Sequence, residues 1–328
     1  MAVQRHPLKP IVDEARDLAS LAIDCRAYGR YWWMVHTGSN EIQEKCMLQD
    51  ETTGTDVFAA AAARKKAIAE QLGTRPLEEI IGVVDARGAG GWKEANGEWT
   101  LSFNFHCWKI PSGVLKNRPI AMSHTTSREQ FDSLWEKVEA YSVLRVIARV
   151  VEESVIGTPQ GQLVEFLSID TSELELKKAA LDLQKPVIHD DLEFGRFTLD
   201  RRVDWYAGET EWNGSTVTLT LPLDDSGKLD NALIHARLLW RDQEGWTQRV
   251  RDYAVQKLLP LKNQNWLDEG EDEMTTVQFK DRMTLESITM HPDGSFEFWH
   301  NDGDLFWGHS IQINGNLSEG LTDADIPG

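Results

Sequence analysis

Hydrophobic and polar positions alternate along this chain with two different periods. Ile11, Ala15, Leu18, Ala22 and Cys25 share one face at helical spacing and predict a helix from Ile11 to Tyr28. Thr55 to Leu72 predicts a second helix, with Thr55 as its cap, an alanine run inside it and Gly73 to end it. Period-two patterns predict strands over Ile80–Asp85 and Trp99–Trp108. A stretch with prolines, glycine and polar residues, Pro111 to Pro119, reads as a linker. Beyond it, Ser127-Arg128-Glu129-Gln130 is a capping-box pattern that opens a helix to about Val138. Tyr141–Glu152 and Gln162–Ile169 read as strands, and Ser172 opens a helix to Gln184 that stops before Pro186. This is an αββα unit.

From Phe194 onward the pattern changes to short strands. Phe194–Leu199 is one, and Trp205–Trp212 and Thr216–Leu221 form a hairpin about Asn213-Gly214, where positive φ comes cheaply. Alternation places Val217, Leu219 and Leu221 on one face and threonines on the other. Lys228–Trp240 and Glu244–Leu259 read as amphipathic helices, and Glu269-Gly270-Glu271-Asp272-Glu273 as an acidic loop. Met283–Met290 begins a terminal antiparallel sheet, with tight turns at Pro292-Asp293-Gly294 and Asn301-Asp302-Gly303-Asp304. Its aromatics Phe298, Trp299, Phe306 and Trp307 are expected to be largely buried, because a small sheet needs an apolar face. The expected fold class is α+β: antiparallel sheets flanked by helices, in two or three modules. These are residues 1–115 (an N-terminal α/β module), 120–188 (the αββα unit) and 189–328 (an acidic antiparallel α+β domain).

Charge sharpens this division. The net charge is −19, and from His189 to Gly328 there are 27 acidic against 12 basic residues, a net of −15. Such a surface repels nucleic acid and anionic lipid and attracts a basic protein. No apolar run reaches the length of a membrane span, and Met1–Pro7 lacks the apolar core of a signal peptide. Cys25, Cys46 and Cys107 have no metal-ligand spacing, a usage that suits a reducing, cytoplasmic setting.

Several strings carry a resemblance. They are Gln184-Lys185-Pro186-Val187, Phe194-Gly195 with Phe197 and Leu199-Asp200-Arg201, and Trp212-Asn213-Gly214. Leu258-Leu259 with Leu261, Asn263 and Trp266 is a fourth, and Asp302-Gly303-Asp304 with Phe306-Trp307-Gly308-His309 a fifth. Together they resemble the uncharacterised bacterial family known as the domain of unknown function numbered 2262, from about Asp190 to the C-terminus. The resemblance implies a fold and no site. Similar short-strand domains occur among bacterial immunity and toxin-associated proteins, which is an analogy.

Complete catalytic motifs are missing from the sequence. The Gly-rich Arg87–Lys93 lacks the spacing of a phosphate loop and is followed by strand, not helix. His106 and Cys107 are adjacent on a strand and so point to opposite faces. His300, Asp302, Asp304 and His309 fall within ten positions, a set of donors suited to a divalent metal and a metal-dependent hydrolase. The competing reading is a turn and packed histidines, and it is preferred, so no metal, cofactor or catalytic residue is expected. The expected function is non-catalytic protein binding, most sharply an immunity protein that neutralises a bacterial toxin. A regulatory or scaffolding role is a third reading. The expected contact residues are the loop carboxylates Asp224, Asp225, Asp268, Glu269, Glu271, Asp272 and Glu273, facing a basic partner such as a toxin domain.

Overall fold

The structure is a computed structural model that describes residues 51–169 and 172–327. The expected helix from Ile11 to Tyr28, with Cys25 and Cys46, lies outside the described residues. The fold is α+β, with six helices and fourteen strands among the described residues. It divides into two compact units, one ending at Gln184 and the other beginning at Lys185.

In the first unit, helix α1 (Glu51–Gly73) is followed by β1 (Glu78–Val84), β2 (Gly90–Lys93), β3 (Trp99–Lys109) and β4 (Ile120–Thr126). Helix α2 (Arg128–Trp135), β5 (Val143–Val151), β6 (Gln160–Ile169) and α3 (Leu174–Leu183) complete it. Strand β3 pairs with β1 along one half and with β2 along the other, and with β4 on its far edge. The cycle β1-β3-β4-β6-β5 therefore closes into a five-stranded barrel, antiparallel except between β4 and β6. Full closure removes exposed edges, and a helix between the third and fourth barrel strands is the Greek-key arrangement of an OB barrel. Ile80, Leu101, Phe103, Phe105, Ile120, Met122 and Val146 fill its interior. Leu176 and Ala180 of α3 cover Ile81, Val83 and Cys107 on its outside.

The barrel corrects the expected boundary at Pro111–Pro119. That segment joins two strands paired from Trp99↔Thr126 to Phe105↔Ile120, so residues 1–115 and 120–188 are not separate modules where described. A proline-bearing stretch terminates a strand as readily as it links domains, and sequence does not separate the two. Two helix starts also differ. Helix α1 is already formed at Glu51, so Thr55 lies within it. Helix α3 begins after Glu173, which makes no side-chain cap. At α2 the cap is as expected: the Ser127 hydroxyl accepts from Gln130 N at 3.4 Å.

The second unit holds a single eight-stranded sheet. Its strands are β7 (Ile188–Asp191), β8 (Gly195–Asp200), β9 (Trp205–Trp212), β10 (Ser215–Pro222), β11 (Thr284–Met290), β12 (Ser295–Asn301), β13 (Ile311–Asn316) and β14 (Gly320–Asp325). They lie in the order of the chain, from β14 at one edge to β7 at the other. Every pairing is antiparallel except β10 with β11, where helices α4 (Asp230–Trp240), α5 (Gln243–Asn265) and α6 (Thr276–Arg282) intervene. The expected turn at Asn213-Gly214 is present, with φ of 49° and 77°, the left-handed pair such a hairpin requires. Val217, Leu219, Leu221, Ile288, Phe296, Phe298 and Ile313 point to the helices and share one core with Ala232, Leu239, Val250 and Leu258. Helix α5 continues through Pro260 to Asn265, past the end expected at Leu259. Leu258 and Lys262, one turn apart, are both buried on its inner face. Asn263 holds it further, exchanging hydrogen bonds of 3.0 and 2.9 Å with the main chain of Met274.

Candidate functional site

The terminal loop between β12 and β13, Asp302 to Ser310, is built around a buried carboxylate. Asp302 accepts main-chain N–H bonds from Phe306 at 2.6 Å, Gly308 at 3.2 Å and Asp304 at 3.2 Å. These bonds close the chain into a tight coil, in which Gly303, Asp304, Trp307 and Gly308 all have positive φ. Phe306 and Leu305 are driven into the core at 0% exposure. Trp307, next in sequence, is thrown outward and is 61% exposed. A tryptophan at φ 56° occupies a region that bulky side chains rarely adopt and is held there by its surroundings. Its ring packs on Trp266 with centroids 4.7 Å apart.

This corrects two expectations. Phe298 and Phe306 are buried, but Trp307 is not, and Trp299 lies half-buried on the sheet face opposite the helices. The Asp302 coil reverses the alternation that a plain hairpin would impose. The four candidate metal donors are also dispersed by environment. His300 is buried on the core face beside Phe298, and burial, aided by the charge of Arg251, pushes its imidazole down to about 4. Asp302 gives its oxygens to the main chain, Asp304 is exposed, and the His309 ring stands edge-on to Trp266 at 5.5 Å. Among the described residues, no three His, Cys, Asp or Glu side chains are grouped to hold a metal.

The acidic loop lies beside the paired tryptophans. Trp266 is the C-cap of α5, and its carbonyl accepts from the buried Lys262 ammonium at 2.6 Å. The same ammonium donates to Glu271 at 3.0 Å, which ties the loop Asp268–Glu273 to the base of the tryptophan pair. Of the seven expected contact carboxylates, two have work within the fold. Glu271 holds Lys262 and the Asp268 N–H. Asp224 accepts from the main chain of Ser226 and Lys228 and from the Ser226 hydroxyl, bracing its own turn. Asp268, Glu269, Asp272 and Glu273 are exposed on the loop that follows Trp266, and Asp225 is exposed on its own loop. An exposed tryptophan is thus stacked on the residue from which a carboxylate-bearing loop departs. Sequence alone gave the acids. The aromatic was hidden because its exposure depends on the Asp302 hydrogen bonds.

Other candidate chemistry is accounted for by packing. The Cys107 thiol is buried and pushed up to about 11, by burial first and then by the charge of Glu175, so it is a poor nucleophile. His106 is exposed and sits at a register shift, where Val83 pairs with Cys107 and Val84 with Phe105, so the two neighbours do not simply alternate as the sequence pattern predicts. No described helix is long and apolar enough to cross a membrane.

Comparison with known proteins follows the division into units. Residues 191–326 match the family described as "Uncharacterized protein conserved in bacteria (DUF2262)". Residues 64–183 match the family described as "Domain of unknown function (DUF7021)". The resemblance read from the C-terminal strings is thus confirmed, and each unit matches a family of unknown function, the C-terminal one described as conserved in bacteria. Among curated proteins none matches the chain. A crystal structure described as wild-type single-stranded DNA binding protein from Thermus aquaticus is similar at 12% identity over 44% of this chain and 72% of that one. Its TM-score is 0.20, too slight a likeness to argue from.

Proposed function

We propose that the C-terminal unit is a non-catalytic protein-binding module that grips a basic partner, and, in its sharpest form, an immunity protein that neutralises a bacterial toxin. The carrying observation is Trp307, exposed at positive φ and packed on Trp266, from which the acidic loop Asp268–Glu273 departs. A rigid aromatic anchor with carboxylates on the adjoining loop fits the energetic layout of protein interfaces: a few aromatics hold the complex while charge steers its formation. Backbone strain retained at an exposed aromatic is itself a reason to look for a ligand. The carboxylates give the surface its sign and so the partner its own.

The test uses the full chain as bait in its native cell, followed by co-expression with each basic protein captured and with any toxin gene found beside its own. The expected result is capture of a basic protein and protection from its toxicity, both lost in Trp307→Ala. Capture of a basic non-toxin protein would leave the binding module standing and remove the immunity reading. Neither capture nor protection would end both.

A further inference from the structure

A second surface lies at the opposite edge of the sheet. Among the described residues no strand pairs with the outer edge of β7. Leu199 N donates to Val187 O at 2.9 Å, and Ile188 stands opposite Thr198. Antiparallel ladders alternate, so Val187, His189 and Asp191 bond toward β8, while Ile188 and Asp190 aim their N–H and C=O groups outward. Beside this edge is an open groove of about 370 Å³, lined by His189, Leu192, Asp230, Leu233, Ile234 and Arg237. Its apolar content is exposed, Leu192 fully and Ile234 to 53%, and Ile188 of the edge strand itself is 42% exposed. Arg237 is already committed to Asp191 and to Glu193 at 3.3 Å, so it does not offset Asp230 at the groove wall. On the other face of the strand, Asp190 projects beside Ile188 in an exposed pair with Arg196 of β8 at 2.8 Å, the kind of solvated pair that an incoming cation can share.

We propose that β7 and this groove form a strand-addition site for an extended segment of a partner protein, one that alternates aliphatic and basic residues. The incoming backbone completes the hydrogen bonds of Ile188 and Asp190. Its aliphatic side chains lie over Leu192, Leu233 and Ile234, and its cations, on the opposite face of the added strand, meet Asp190. Main-chain pairing gives such recognition its affinity and alternate side chains its specificity. With only four residues in β7, the site takes a short strand. A free polar edge bordered by exposed aliphatic side chains is otherwise an unprotected liability. The inference is independent of the Trp307 surface.

The probe is a capped heptapeptide, Val-Lys-Val-Lys-Val-Lys-Val, titrated onto the full-length protein by fluorescence anisotropy. In antiparallel addition the lysine N–H groups face Ile188 and Asp190. N-methylation of the lysines should weaken binding about tenfold or more, since each lost backbone bond costs a factor of several. N-methylation of the valines should leave binding nearly unchanged, and parallel addition would reverse the two. Ile234→Asp should abolish binding, and Trp307→Ala should leave it intact. Equal effects of the two methylation frames, no binding of the unmodified peptide, or full binding by Ile234→Asp would each overturn the proposal.

Discussion

The ammonium of Lys262, 1% exposed, donates 3.0 Å to Glu271 in the loop nine residues further on. An acid that looks like part of a solvated cluster is therefore the counter-ion of a buried cation. Bonds from the Asp268 N–H and from Lys262 hold its carboxyl below the ordinary value of 4.5. Removing one partner of such a pair strands the other, whereas replacing both members together with apolar side chains of similar size is often tolerated. Glu271→Gln should thus destabilise the protein more than the double variant Lys262→Met, Glu271→Leu does. The folded-state carboxyl is depressed, so its contribution is present above pH 4.5 and is lost as the pH falls through the lower folded value. Urea denaturation at pH 7 and in acid checks both statements. A Glu271→Gln loss that persists undiminished in acid would contradict the ion pair.

His300 is depressed too, by burial first and then by the charge of Arg251. Its folded value of about 4 against an ordinary 6.5 means that the unfolded chain binds the proton first. Stability should therefore fall as the pH drops from about 6.5 to about 4, by up to about 3 kcal/mol. In His300→Leu that part of the slope should vanish. An unchanged slope would show that other groups carry it.

Trp307 and Phe306 are neighbours with opposite surroundings. Phe306→Ala should cost about 3–5 kcal/mol, as a large-to-small change in a packed core. Trp307→Ala should cost less than about 1 kcal/mol, and Trp307→Gly should be no worse, because glycine adopts positive φ without strain. Equilibrium unfolding of the three variants decides this. A Trp307→Ala loss comparable to that of Phe306→Ala would place the indole in the core.

Exposure to a chelator separates the coil around Asp302 from a metal site. Its oxygens are satisfied by three main-chain donors, so EDTA should leave Tm unchanged. Asp302→Asn, which halves the acceptor capacity, should lower Tm even though no ion is involved. A drop of several degrees on chelation alone would instead reveal a bound cation.

Much of the second unit is legible in its sequence because its determinants are local. Asn213-Gly214 fixes a turn with its own two dihedral angles, and the alternation of Val217, Leu219 and Leu221 faces one core. The residues that carry the family resemblance are also the ones that fasten the fold: Trp212 donates to Thr247 at 2.8 Å, Asn263 to Met274 at 3.0 Å, and Asp302 closes its coil. The barrel is not legible, because the pairing of β1 with β3 and β5, and of β4 with β6, joins segments far apart in the chain. The exposed tryptophan is missed for a related reason. Periodicity assumes an unbroken ladder, and four residues of positive φ between Gly303 and Gly308 interrupt it. Charge counting likewise treats all carboxylates alike, so only the structure separates Glu271 and Asp224 from their exposed neighbours.

The parallel seam between β10 and β11 governs how the eight-stranded sheet can form. Strands β7–β10 and β11–β14 are each a meander whose partners adjoin in sequence, able to assemble in microseconds from local encounters. They meet only where Thr218, Leu219 and Thr220 face Ser287, Ile288 and Thr289, after a helical excursion that must fold back first. Closure of that long loop carries the largest entropic cost in the unit, which places the seam late in folding. Truncation of Ile288 is therefore expected to accelerate unfolding more than it slows refolding, as stopped-flow kinetics would show.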